Sequence, residues 1–339
     1  MIKRGKLLIL FAIIISSLTL LSCGKNGVED NESKWKRITL DEGSIVENDN
    51  GDYENYLYKD NEYVEINDSD NGTVALYDYD SKNYIMMKDN EYIACIGDKK
   101  TKLTNIGILD NSFNMSPGGK YLLFFRNEEY CKLQVLSLES GKLLDLNIDV
   151  SISGKYVDWL DDHTLVYYGV RDKDKTNAIF TYDLNSKKED IYLKLEEGYI
   201  EYIKSLDDGV VYSVGNFNGE KKLIKISVEG KNSEVLSTDI KKVYDLIELD
   251  GVYYILGSFK NSDYALYSLS NGVQKRITYS FPSNIDLNKG LSKTKDGSIL
   301  FIGSNNIDFK QEIYKSTKDG AVSLIKSGNN EINFIKRSN

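Results

Sequence analysis

The residue types able to do chemistry are few in kind. His163 is the single histidine of the 339-residue chain and lies in Leu160-Asp-Asp-His163-Thr. A Ser-His-Asp arrangement would need a nucleophile on a strained elbow beside it. No such segment is present, so His163 reads as a solvated turn residue. One histidine excludes a multi-histidine metal centre, and three cysteines exclude both a four-cysteine zinc site and a disulfide-dense scaffold. Cys95 and Cys131 lie 36 residues apart. Aligning Tyr84 with Tyr121 places Cys131 opposite Ala94, so the two thiols fall on opposite strand faces. They are expected to stay unbridged, as small buried hydrophobes. Asp68-Ser-Asp70-Asn-Gly72 opens like a calcium loop, but Thr73 and Tyr79 stand where that loop needs Gly and Glu. Asp172-Lys-Asp174 carries a neutralising lysine. Both read as turns, and neither a metal nor a cofactor is expected. Among 52 acidic residues, spacing singles out no catalytic pair.

The N-terminal segment sets the compartment. Lys3, Arg4 and Lys6 precede an apolar run from Leu7 to Leu21, which ends in Leu20-Leu21-Ser22-Cys23-Gly24. A basic start and a short apolar core closed by small residues make a secretory signal. The run falls short of the ~20 residues of a spanning helix. Its Leu-x-Ser-Cys ending resembles the lipobox of bacterial lipoproteins. That resemblance implies a signal peptide over 1–22 and a Cys23 that becomes diacylated (palmitate-type chains) and heads the mature chain. Residues 23–34 then form a polar tether, and 35–339 a single domain. Two acyl chains suffice for stable anchoring, so the expected location is the extracytoplasmic face of the cell membrane.

Removing 1–22 leaves 40 basic and 52 acidic residues, a net charge of −12. That balance argues against nucleic acid as a partner and against lying flat on an anionic membrane. The 37 lysines against 6 arginines, in a Lys/Asn/Ile-rich text, suggest an AT-rich Gram-positive source of clostridial type.

The remainder repeats itself. Trp159 to Gly169, Leu206 to Gly215, Leu249 to Gly257 and Lys295 to Gly303 each hold a tight Asp-containing turn, an apolar-aromatic strand and a closing glycine. The glycines are spaced 46, 42 and 46 apart. Alternating strands with Gly, Asn or Ser turns trail each unit, as in 179–188 and 223–232. Four short strands every ~40–45 residues form the blade of a β-propeller. Six units fit between 73 and 328. The leftover 35–66 and Glu331-INFIK can combine into a seventh blade closed by both chain ends, which favours seven blades over six. The 25 tyrosines, as in Tyr167-Tyr168 and Tyr253-Tyr254, are expected to pack between blades.

Ser116-Pro-Gly-Gly-Lys-Tyr-Leu-Leu-Phe-Phe resembles the Ser-Pro-Asp-Gly-Lys/Arg strand-turn motif of TolB-like, WD-repeat-like propellers, with Gly118 in place of the aspartate. The later Asp-Gly segments are weaker copies. The resemblance implies an all-β propeller of the envelope acting as a binding scaffold. The motif itself specifies a turn and carries no chemistry.

Connections between second and third strands are longer and polar, and they should gather on one face around the channel mouth. Loops on a rigid scaffold are where binding usually sits. Arg126 and Arg171 fall there and are the expected partner contacts. The chain is expected to be a monomer that binds a protein or a cell-wall glycan without catalysis. The alternative is an extracytoplasmic hydrolase or lyase using carboxylates at the channel mouth.

Overall fold

The computed structural model describes residues 37–66, 72–107, 110–127, 131–305, 310–328 and 330–337. Two compact units are distinguished, Met1–Ile38 and Thr39–Asn339. Of the first, only Arg37 and Ile38 are among the described residues. The signal segment, Cys23 and the tether therefore lie outside the described residues, as do Asp68 and Asp70. No helix among the described residues is long and apolar enough to cross a membrane.

The second unit is a seven-bladed β-propeller. Blades 2 to 6 are consecutive four-stranded antiparallel sheets that begin at Thr73, Asp110, Val150, Tyr199 and Ile240. Blade 7 splits its innermost strand into Asn284–Ile285 and Leu291–Lys293, both paired with Ile299–Ser304. Blade 1 has mixed ancestry. Its outer three strands are Ile45–Asp49, Asp52–Lys59 and Glu62–Glu65, and its innermost is the C-terminal Glu331–Phe334. The leftover segments of the sequence thus form the closing blade. Lys336–Arg337 continues on, parallel to Thr73–Tyr77 of blade 2.

The second strands of blades 2 to 7 are near-continuous apolar runs because both their faces are covered. All six residues of Ile299–Ser304 are buried, as a strand sandwiched between layers requires. The cores sit between blades. Val166, Tyr168 and Ile179 of blade 4 meet Ile200, Val210 and Tyr212 of blade 5. Tyr254 and Leu266 of blade 6 meet Phe301 and Tyr314 of blade 7. Tyr167, Tyr168, Tyr253 and Tyr254 are all buried, as expected for inter-blade packing. Turn chemistry follows the text: Asp250 and Gly251 both take positive φ (51° and 75°), the two-residue hairpin geometry that matches strand twist. Pro117–Gly119 makes one tight turn, where Gly118 sits at φ 76°.

Three of the four closing glycines, Gly169, Gly257 and Gly303, have a steric reason, whereas a Cβ on Gly215 would meet only the Tyr199 ring at 3.4 Å. The innermost strands bulge opposite them, for example between Ile240 and Lys242, and between Val243 and Asp245. A Cβ on Gly257 would lie 2.2 Å from the Lys242 carbonyl oxygen, and one on Gly169 would lie 2.5 Å from that of Ser151. Backbone cannot yield as a flexible side chain can. Gly257→Ala is therefore expected to cost roughly 2–4 kcal/mol, read as a Tm lower by several degrees with the spectrum of the fold retained.

Polar side chains stitch each blade to the next. Gly118 N–H donates to Asp78 Oδ2 (2.7 Å), Ser205 N–H to Asp158 Oδ2 (2.8 Å) and Leu291 N–H to Asp245 Oδ2 (2.8 Å). Val74 N–H donates to Asn55 Oδ1 (2.8 Å). Asp78 and Asp158 are buried, and a buried acceptor left unmade is costly. These carboxylates serve the architecture.

Candidate binding surface

The propeller has two ends. One carries the tight turns between first and second strands. The other carries the second-to-third connections and the links from one blade to the next. A central channel of about 950 Å³ is lined by the innermost strands and the tight turns. None of the described second-to-third connections is among the residues that line it.

The channel wall holds the ion pair Lys204 Nζ–Asp245 Oδ1 at 2.7 Å. Around the tight-turn mouth, lysines from neighbouring blades hold carboxylates low. Lys120 lowers Asp162 (2.8 Å), with His163 adding to the effect, and Lys318 lowers Asp250.

His163 is more than a solvated turn residue. Its Nδ1 lies 2.6 Å from Asp162 Oδ1, and its Nε2 lies 3.1 Å from Asp183 Oδ2 of the third strand. Ligand atoms of Asp161, Asp162 and His163 fall within 4.8 Å of one another. Each is engaged inside the chain: Asp161 accepts from the His163 and Thr164 amides, and Asp162 pairs with Lys120. The Asp162 hydrogen bond raises the imidazole pKa; burial, the next-largest effect, opposes it, and the charges of Asp161, Asp162 and Asp183 each add a smaller upward contribution. A raised folded-state pKa stabilises fully below the unfolded value of about 6.5 and loses that stabilisation as pH rises through the folded value. The Tm is therefore expected to decline over that interval, and a pH series on His163→Gln should show a shallower decline.

Arg126 and Arg171 are strand residues with occupied guanidiniums. Arg126 is the penultimate residue of Tyr121–Asn127 and grips the buried Asp110 with Nε and Nη2 (both 2.8 Å), while Nη2 also donates to the Asn105 carbonyl. Arg171 ends Thr164–Arg171, lies over the Phe180 ring at 5.0 Å and faces Asp174 at 3.7 Å. Asp172 accepts from the Ser151 hydroxyl and pairs with Lys175. Cys95 and Cys131 are thiols. Cys95 is buried, but Cys131 opens its strand at the surface, so the expectation of burial fails for it because the strand start has no covering layer.

The feature the sequence reading passed over is aromatic. The strongly exposed aromatic side chains among the described residues are Tyr53, Tyr199, Phe217, Tyr244, Tyr264, Tyr279 and Phe281. Six of the seven sit at the long-connection end, and Tyr244, midway along its innermost strand, lines the channel and touches Tyr264. Tyr53 adjoins the Asn50-Gly51 turn, Tyr199 opens blade 5, and Phe217 and Tyr264 lie in second-to-third connections. Tyr244 is the bulged residue of its strand, while Tyr279 and Phe281 lie in the link from blade 6 to blade 7. The exposed aliphatics Val64, Ile191, Val228, Val235, Val273 and Leu324 sit instead on outermost strands or the turns leading to them.

The rings are held. Asn216 Oδ1 accepts the amides of Asn218 (3.0 Å) and Glu220 (2.9 Å), locking a turn with Phe217 at its tip, 91% exposed. Phe217 leans on Tyr199 (6.2 Å, 50°), Tyr264 on Tyr244 (5.7 Å, 79°) and Phe281 on Tyr314 (5.3 Å, 86°). The Arg276 guanidinium stands 5.3 Å from the Tyr279 centroid. Leaving a phenylalanine in water forgoes roughly 1.5–3 kcal/mol of burial. An aromatic residue in a polar loop was the signal available in Asn216-Phe217-Asn218-Gly219.

No protein-family model and no curated protein matches the chain. Solved structures do. Dipeptidyl peptidase 4 of Porphyromonas gingivalis is 13% identical over 85% of this chain and 52% of its own, with a TM-score of 0.53. This chain thus spans about half of that protein's length. The β-propeller domain of the Trilobed protease from Pyrococcus furiosus is 14% identical over 83% of this chain and 93% of its own (TM-score 0.52). Oligogalacturonate lyase from Vibrio parahaemolyticus is 15% identical over 85% of each chain (TM-score 0.50). These likenesses establish the β-propeller fold.

Proposed function

We propose that the chain is a lipid-anchored extracytoplasmic lipoprotein whose propeller binds an envelope partner, protein or cell-wall glycan, without catalysis. The observation that carries this reading is the gathering of six of the seven strongly exposed aromatic residues at one end of the propeller. Aromatic residues are enriched at binding hot spots, and their collection at one end makes that end the surface to test.

Residues 39–44 enter at the tight-turn end, where Asp41 pairs with Lys295 (2.6 Å), Glu42 with Lys293 (3.6 Å), and Leu40 N–H donates to Tyr77 Oη (3.3 Å), which leaves the long-connection end unobstructed by these residues. Arg126 and Arg171 lie at the same long-connection end of blades 3 and 4 and are the charged positions to substitute alongside the rings.

Two experiments test the two halves. Cys23→Ala is expected to abolish lipid labelling and release the protein from the membrane fraction; continued partition into a detergent phase would overturn the anchor. A pull-down with the 35–339 fragment should recover an envelope component that the same fragment carrying Phe217→Ala does not. Equal recovery by both would overturn the surface assignment.

A further inference from the structure

We infer that residues 39–44 are a latch on the propeller: they tie blades 7, 1 and 2 together across the closing seam, so that lifting them opens that seam before the rest of the ring. Blades 3 to 7 each draw their strands from one stretch of chain. Blade 1 instead joins Glu331–Phe334 to Ile45–Asp49, from opposite ends of the chain. Four residue pairs make that join, from Ile45 with Phe334 to Asn48 with Glu331. A junction held by non-covalent pairs alone is where a closed ring opens locally at the lowest free energy.

Residues 39–44 cross this junction on its tight-turn side. Toward blade 7, Asp41 pairs with Lys295 of the tight turn and Glu42 with Lys293 of the innermost strand. Against blade 1, Tyr63 Oη donates to the Gly43 carbonyl (3.1 Å) and Tyr58 N–H to Ser44 Oγ (3.3 Å). Toward blade 2, the fully buried Leu40 donates its N–H to Tyr77 Oη. Ser44 also reaches the other end of the chain. Its carbonyl accepts the Ile335 N–H (3.0 Å), one rung beyond the Ile45–Phe334 pair. The Ile335 carbonyl in turn accepts from Tyr79 Oη of blade 2 (3.2 Å). Gly43 is the pivot: its φ is 93°, and a Cβ there would lie 2.8 Å from Leu300 Cδ1 of blade 7 and 3.2 Å from the Tyr58 ring. Any side chain at that φ is strained, and Leu300 is itself fully buried. The chain upstream of Thr39 thus leads into the closure of the ring, and a load or a partner acting on it acts on blade 1.

The test is amide hydrogen exchange, read by mass spectrometry on the full-length protein in detergent. Gly43→Ala should speed exchange about tenfold or more in residues 45–48 and 331–335. Thr164–Arg171 of blade 4 and Gly209–Gly215 of blade 5 should keep their native rates. Asp41→Lys should speed exchange at the same seam roughly threefold, and adding Lys295→Asp should restore protection. This charge swap leaves Gly43 in place and decides the matter where Gly43→Ala does not fold. Faster exchange confined to residues 39–44, equal acceleration in all seven blades, or no recovery on adding Lys295→Asp would overturn the latch.

Discussion

Deleting residues 329–339 is expected to leave a chain that aggregates, or that melts at least 10 °C below the intact domain. The deleted segment supplies the innermost strand of blade 1. Glu331 to Phe334 pair with Asn48 to Ile45, and Ile332 is fully buried among Ile45, Tyr58, Leu300, Ile302 and Ile313. Ile332, Phe334 and Ile335 are all buried, and each apolar side chain of that size is worth roughly 1.5–3 kcal/mol. Against a total stability of about 5–15 kcal/mol, that loss is decisive. The Lys336–Arg337 pairing with blade 2 and the Tyr79 Oη bond to the Ile335 carbonyl go as well. The exposed edge of Ile45–Asp49 then becomes a template for other chains. Ile332→Ala is the graded version, costing roughly 2–5 kcal/mol. Thermal unfolding and gel filtration decide. A soluble truncated chain with an unaltered Tm would mean that the ring does not depend on its C-terminal strand.

The second large effect separates binding from folding. Phe217→Ala combined with Tyr264→Ala should reduce partner binding about a hundredfold. The two residues sit on different blades, so their contributions should add. Both are exposed, and surface substitutions of this kind usually stay within about 0.5 kcal/mol of stability. The control is Val235→Ala with Val273→Ala, equally apolar and exposed but on outermost strands; it should leave binding intact. Loss of binding in the control and not in the aromatic pair would move the site to the rim.

Much of the architecture was legible because it is local and repeated. Asp250-Gly251 specifies its own turn, and the glycines at 169, 215, 257 and 303 mark the blade period. Glu331-INFIK was visible as a strand lacking a partner in its own repeat. The candidate site was legible only in outline. Arg126 reads as a loop cation until a strand ladder brings Asp110 opposite it. Asp158 and Asp245 look like any other acids until Ser205 and Leu291, 47 and 46 residues on, turn their amides toward them. With 25 tyrosines in the text, composition alone does not separate those packed between blades from those left at the surface. That division depends on which strand end each residue reaches, a property of the closed ring.

The most direct measurement places a photo-cross-linking phenylalanine analogue at position 217, 264, 235 or 273 of the full-length protein in intact cells. Cross-linked envelope material is predicted from 217 and 264 and not from 235 and 273. Cross-links from 235 or 273 with none from 217 or 264 would contradict the assignment of binding to the aromatic end of the propeller.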